Sequence, residues 1–241
     1  MAENQYKRGD GFKMIESYIE YLRNNPMQPS KYETHCQKHG DYVEADHTGL
    51  CVKCGREERE ARKDQERIAK KINWLNEAGI GKRYHDASFD SLHQSQVEVA
   101  SKLQAYQFDK NIMLIGKTGV GKTYLAMALI NSVIEKMTCN FVKFYKLPHI
   151  QIREPDTFKK LLNCQFLVID EFGVAGSDYK DTVLYEIFDY RYENCLPTMM
   201  ISNYSAEELK SRLSDALQSR IKSGYLSLVL HGEDYRVKGV A

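Results

Sequence analysis

No apolar run in this sequence comes near the ~18 consecutive residues a membrane-spanning helix needs, and Met1 to Lys13 is polar, without the apolar centre of a secretory signal. A cytoplasmic protein with no membrane partner is therefore expected. An excess of one charge is also missing: 34 Lys and Arg stand against 33 Asp and Glu, a formal net charge of +1. No global field would hold nucleic acid, so any such site must be a local patch. Proline is scarce at 5 positions and glycine ordinary at 15, with 42% hydrophobic residues, which excludes collagen-like and disordered chains. There is no internal repeat and no low-complexity tract. Six cysteines do not make a disulfide framework when three crowd between Cys36 and Cys54 and the others, Cys139, Cys164 and Cys195, are scattered. That distribution suits a metal and buried thiols.

At 241 residues the chain exceeds one domain of about 150, and its pattern changes along its length. Within 1–30, Met14, Ile15, Tyr18, Ile19 and Leu22 share one face of a helical period that Asn24-Asn25-Pro26 stops. Residues 31–56 are polar and rich in Cys and His, with too little apolar content for a core of their own. Over 57–78 charges of both signs interleave, with Glu58 before Arg62 and Glu66 before Lys70 at i,i+4, which predicts a solvated linker helix. From 79 to 241 short apolar runs alternate with amphipathic stretches: Ile112 to Ile115, Phe141 to Tyr145, Phe166 to Ile169, Met199 to Ile201 and Leu226 to Leu230. This order predicts an α/β domain with a parallel five-stranded sheet covered on both faces.

Directly after the first of those runs comes Gly116-Lys117-Thr118-Gly119-Val120-Gly121-Lys122-Thr123, followed by a helical stretch. This is a complete Walker A loop between strand and helix. Its glycines let successive amide N–H groups turn inward around phosphates at a helix N-terminus, whose partial positive charge favours anions. Lys122 is expected to reach the β and γ phosphates of ATP, and Thr123 to offer its hydroxyl to magnesium. The run Phe166 to Ile169 ends in Asp170-Glu171. A carboxylate at the carboxyl end of a buried strand suits a magnesium partner, and the next one is placed to orient or deprotonate a water. An acid pair of this kind fits attack by water, so an ATPase is expected rather than a kinase. Asn203, at the end of another strand, is a candidate to hold that water or else a cap for the following turn, and Arg220 is either a surface arginine or a finger reaching a neighbouring subunit's nucleotide.

Cys36-x-x-His39 and Cys51-x-x-Cys54, with residues 40–50 between them, form two knuckles of the spacing that wraps a tetrahedral ion in three thiolates and one imidazole. Four protein ligands leave no open position, so the zinc would be structural. His35 and His47 are the substitutes in reach.

These residues together resemble the DnaC-like AAA+ helicase loaders of the IstB/DnaC ATPase family. The resemblance runs from Gly79-Ile-Gly-Lys-Arg-Tyr-His-Asp-Ala-Ser-Phe-Asp90 through Walker A and Leu167-Val-Ile-Asp-Glu-Phe-Gly173 to Pro197 through Asn203, Ser219-Arg220-Ile221 and Asp234-Tyr235-Arg236. It implies an AAA+ P-loop core without a full helical lid, since only residues 221–241 follow Arg220. It also implies self-assembly in ATP and a factor that binds a hexameric replicative helicase of the DnaB type and helps place it on single-stranded DNA. By position, Asn203 matches the sensor-1 residue, Arg220 the trans-acting finger and Arg236 sensor 2, with Ile80 to Tyr84 beside the adenine. Similar Cys/His knuckles precede the ATPase in loaders from phages and prophages. Two other functions fit the same motifs: an IstB-like transposition helper that coats duplex DNA, and a zinc-bearing adaptor that binds ATP with little turnover. For DNA contact, the best stripe is Lys143, Lys146, His149 and Arg153 with Phe144 and Tyr145, a pattern that also describes a solvated strand edge.

Overall fold

The structure is a computed structural model that describes residues 20, 23–24, 33–45, 51–173, 178–215, 217–218 and 225–235. The helix expected within 1–30 lies outside these, apart from Glu20, Arg23 and Asn24, which are helical. The chain divides into two compact units, Met1–Arg67 and Ile68–Ala241.

In the first unit, β1 (Glu33–Cys36) and β2 (Gly40–Glu44) form an antiparallel hairpin in which Cys36 pairs with Gly40. Among the described residues its buried positions are Cys36, Ala45 and Cys51, with Cys54 against them. Helix α1 (Val52–Glu77) follows at once. It begins about a turn before the expected 57, because the second cysteine knuckle is itself the first helical turn: residues three apart share a helix face, which brings Cys51 and Cys54 to the same side.

In the second unit, the five apolar runs correspond to β3 (Asn111–Gly116), β4 (Cys139–Lys143), β5 (Phe166–Asp170), β6 (Thr198–Ser202) and β7 (Tyr225–Leu230), with β4 starting two residues before its expected run and Phe144 and Tyr145 in a 3-10 turn after it. They lie in the order β4-β5-β6-β3-β7, every neighbouring pair parallel. The strands alternate side chains between two cores. Ile112, Leu114, Phe166, Val168, Met199 and Ile201 face one way, against α2 (Val97–Gln104) and α3 (Lys122–Val133). Met113, Ile115, Leu167, Ile169 and Met200 face the other, against α4 (Leu147–Arg153), α5 (Pro155–Asn163), α6 (Asp178–Glu193) and α7 (Ala206–Arg212). Double coverage explains why these strands read as continuous apolar runs rather than alternating ones. Register brings strand ends level: Lys143 pairs with Asp170, Ile115 with Ser202 and Gly116 with Leu230. The polar residues that follow the apolar runs are therefore gathered along one carboxyl edge of the sheet, where open α/β sheets bind ligands.

At the opposite edge sits a residue the sequence did not advertise. The Arg191 guanidinium, 1% exposed, donates to the carbonyls of Leu161, Leu162, Cys164 and Pro197 and to the Thr198 hydroxyl. It closes the C-terminal turn of α5 and the start of β6 in one stroke. Burial lowers its pKa from the ordinary arginine value.

Among the described residues no helix is long and apolar enough to cross a membrane.

Candidate functional site

The Walker A residues leave β3 at Gly116 and enter α3 at Lys122, with Gly121 as the residue before the first helical turn. Gly119 and Gly121 take φ of 81° and 97°, in the left-handed region that side chains disfavour. A side chain would also displace its neighbours: a Cβ at 119 would lie 1.9 Å from Asp234 Oδ1, and one at 121 would lie 2.1 Å from Gln96 Nε2, so both polar ends would have to move. Lys122 is buried, and its Nζ donates to the carbonyls of Gly116 at 2.8 Å and Lys117 at 2.6 Å. The ammonium is thus held inside the loop at the positive end of a twelve-residue helix. Lys117 and Thr118 are exposed at the loop tip, whereas Val120 is buried beneath it.

Opposite the loop, β5 is buried along its whole length and ends in Asp170. The Thr123 hydroxyl donates to Asp170 Oδ2 at 3.0 Å, and the Glu171 N–H to Oδ1 at 2.8 Å. Burial pushes the Asp170 carboxyl above its usual range, against the lowering effect of those two hydrogen bonds. The donor set fits magnesium: octahedral bonds of about 2.1 Å place adjacent ligands about 3 Å apart, which is the Thr123 to Asp170 separation.

Glu171 has φ of 60°, a strained value for a residue with a side chain, of the kind concentrated at functional positions. Its Oε1 accepts from Lys143 Nζ at 3.0 Å. The hydrogen bond to Glu171 raises the Lys143 pKa, so this ammonium stays charged. The stripe proposed for DNA therefore divides: Lys143 is committed to Glu171, Phe144 is buried, and Tyr145 and Lys146 are exposed. His149 faces Glu154 at 3.7 Å.

Asn203 follows β6 directly and is exposed, one strand over from Asp170. It does not cap the next helix. Ser205 does, its hydroxyl accepting from the Glu208 N–H while Glu208 accepts from the Ser205 N–H, and the Tyr204 N–H goes to the Ser202 hydroxyl. Arg220 and Arg236 lie outside the described residues. Around Ile80 to Tyr84 the chain is buried at Ile80 and makes a short 3-10 turn at Lys82–Tyr84. Asn131 of α3 secures this segment by donating to the carbonyls of Tyr84 at 2.8 Å and Ala87 at 2.9 Å. Nothing in the spacing of the sequence pointed to Asn131.

In the first unit, the three thiols and one imidazole meet. One ligand atom each from Cys36, His39, Cys51 and Cys54 lies within 4.8 Å of all the others. The His39 Nδ1 is 3.5 Å from Cys36 Sγ, 3.6 Å from Cys51 Sγ and 3.4 Å from Cys54 Sγ, and Cys36 Sγ is 3.5 Å from Cys54 Sγ. A zinc tetrahedron with Zn–S near 2.3 Å and Zn–N near 2.0 Å has edges of about 3.5 to 3.8 Å, so the set fits such an ion. Burial opposes the Cys36 thiolate, but hydrogen bonds from the His39 and Lys38 backbone and the His39 ring outweigh it and hold this thiol at about 6. The other ring nitrogen, His39 Nε2, meets Glu57 Oε1 at 3.1 Å, and Lys38 pairs with the same carboxylate. Glu57 was missed because its partner lies in another element. Of the substitutes, His35 is exposed outside the cluster, and His47 lies outside the described residues.

Three comparisons bear on this arrangement. The chain is similar to the replicative helicase loader DnaC of Escherichia coli K12, 29% identical over 193 residues that cover 71% of this chain and 78% of that protein. A protein of insertion sequence IS232 from Bacillus thuringiensis subsp. berliner is 28% identical over 160 residues, 61% of this chain and 64% of that one. The crystal structure of the DnaC helicase loader superposes with a TM-score of 0.56 at 28% identity, covering 63% of this chain and all of that one. A strand-loop-helix phosphate cradle facing a buried Asp is what an ATP-binding family requires, and the model for IstB-like ATP binding proteins matches residues 45–239; the chain belongs to that family.

Proposed function

We propose that this protein is an ATP-dependent helicase loader, which binds a hexameric replicative helicase and helps place it on single-stranded DNA. The likeness to DnaC across 78% of that protein's length carries this reading. The nucleotide is expected along the carboxyl edge of the sheet. Loop amides from Gly119 to Thr123 would hold the phosphates, and Lys122 would turn its ammonium from the carbonyls of Gly116 and Lys117 to the β and γ phosphates. Thr123 and Asp170 are the residues to hold magnesium, which when bound neutralises charge on the phosphates. Glu171 is assigned to activate water, Asn203 to orient it, Arg220 to reach a neighbouring subunit's nucleotide and Arg236 to sense the phosphates from the same chain. Self-assembly in ATP follows from that sharing.

The Cys36, His39, Cys51 and Cys54 set is assigned a structural zinc, which would supply the first unit with the cohesion its small core lacks. The expected division of labour is a zinc module within 31–56, a helix leading from it, and the ATPase over 79–241.

The likeness to the IS232 protein favours one second reading, a helper ATPase for transposition that coats duplex DNA. Size-exclusion chromatography with a DnaB-type hexamer and ATP separates the two. Co-elution dependent on ATP and on Lys122 supports loading. ATP-dependent filaments on duplex DNA, with no co-elution, would replace it with the transposition reading.

A further inference from the structure

The two peptide planes at the crown of the phosphate loop are held from outside by residues that carry no assigned role. The Gly119 carbonyl accepts from the Tyr235 N–H at 3.1 Å, and the Val120 carbonyl accepts from Gln96 Nε2 at 3.0 Å. In a trans peptide the carbonyl and the following N–H point in opposite directions. Pinning these two carbonyls therefore aims the amides of Val120 and Gly121 the other way, as an anion cradle requires.

Both donors are anchored to one short turn, residues 93 to 96. The Tyr235 ring stacks on His93 with centroids 3.7 Å apart and planes 2° from parallel, and its hydroxyl is 2.7 Å from Ser95 Oγ. Gln96 is buried, and its Oε1 accepts from the His93 N–H at 3.1 Å. The strap that follows β7 is thus held against the loop by an aromatic stack and a hydroxyl contact with Ser95, with Gly119 bare enough for Asp234 to pass against it.

We infer that Tyr235 and His93 form a clamp that positions the phosphate loop for the triphosphate, Tyr235 acting as a positioning residue rather than a catalytic one. The inference rests on the ATP-binding reading above. Holding the loop in its binding conformation before nucleotide arrives removes an ordering cost from binding. Loss of the stack therefore weakens ATP affinity more than it weakens the fold, since His93 is itself exposed and outside both cores.

The test is equilibrium titration of the full chain with a fluorescent ATP analogue, alongside nucleotide-free thermal melts. The expected result is that Tyr235→Ala and His93→Ala each weaken binding roughly tenfold, while the double variant is no weaker than the worse single one, because either change alone abolishes the stack. Tyr235→Trp, which keeps an aromatic face, should restore most of the affinity, and melts should shift little for His93→Ala. Wild-type affinity in both alanine variants, or fully additive losses in the double variant, would overturn the clamp. Wild-type protein that binds no more analogue than Lys122→Ala would instead overturn the nucleotide reading beneath it.

Discussion

Lys143 Nζ lies 3.0 Å from Glu171 Oε1, a pairing between the end of β4 and the residue just past the end of β5. The carboxylate proposed to activate water is thereby held by an ammonium, which occupies the oxygen that would otherwise face that water. Replacing Lys143 with Met should release Glu171 and raise basal phosphate release about threefold to tenfold, with little change in KM for ATP. Steady-state phosphate assays check this, with Glu171→Gln as the variant expected to bind ATP without turnover. A fall in turnover for Lys143→Met would assign the lysine to substrate contact instead.

Glu57 bears on the metal cluster through His39. Its bond to Nε2 fixes the ring so that Nδ1 faces the three sulfurs. Outer partners of this type change metal affinity by about 10-fold to 100-fold when removed, and Glu57→Ala should lower zinc affinity in that range. Competition with a chromophoric chelator reads the effect. Cys51→Ser, which removes a ligand outright, should cost more than Glu57→Ala.

Arg191 predicts a purely structural loss. Four carbonyls and the Thr198 hydroxyl would lose a buried donor in Arg191→Met. Unpaired buried polar groups cost about 1 to 3 kcal/mol each before relaxation. A net destabilisation of roughly 3 kcal/mol or more in urea unfolding is expected, since part of the charge's own burial cost is recovered.

The raised pKa of Asp170 gives a pH-dependent prediction opposite in sign to the usual salt-bridged carboxylate. Burial, the dominant cause, makes the ionised form unfavourable in the folded state. The folded chain binds this proton more tightly than the unfolded one, so stability falls as pH rises from the unfolded carboxylate value through the raised folded value. Asp170→Asn should therefore melt higher than wild type at neutral pH, with the advantage vanishing as pH drops below the ordinary aspartate range. It should also lose magnesium-dependent turnover, the two effects marking a carboxylate kept for chemistry rather than for the fold.

Contiguity decided what could be seen without coordinates. Gly116 to Thr123 is one unbroken stretch, and the knuckles Cys36/His39 and Cys51/Cys54 are each complete within a turn, so their chemistry is written in local spacing. The central strands β3, β5 and β6 were legible because burial on both faces makes each a short apolar run, whereas the edge strands β4 and β7 are only partly buried. Asp170 could be read as the end of such a run, but its contact with Thr123 needed β3 and β5 in one sheet. The contacts of Lys143 with Glu171, Glu57 with His39, and Tyr235 with His93 span 28, 18 and 142 positions (171 − 143, 57 − 39 and 235 − 93). No pattern rule links residues so far apart; packing alone joins them. Arg191 was hidden for another reason, since an arginine on a helix with many charged residues reads as solvated until its surroundings prove to be carbonyls.

Isothermal titration of the magnesium complex of ATP into the wild-type chain and into Lys122→Ala tests the central claim most directly. The account predicts saturable binding to the wild type at one site per chain, and loss of that binding when the lysine's ammonium is removed. Equal binding to both proteins, or none to either, would contradict it.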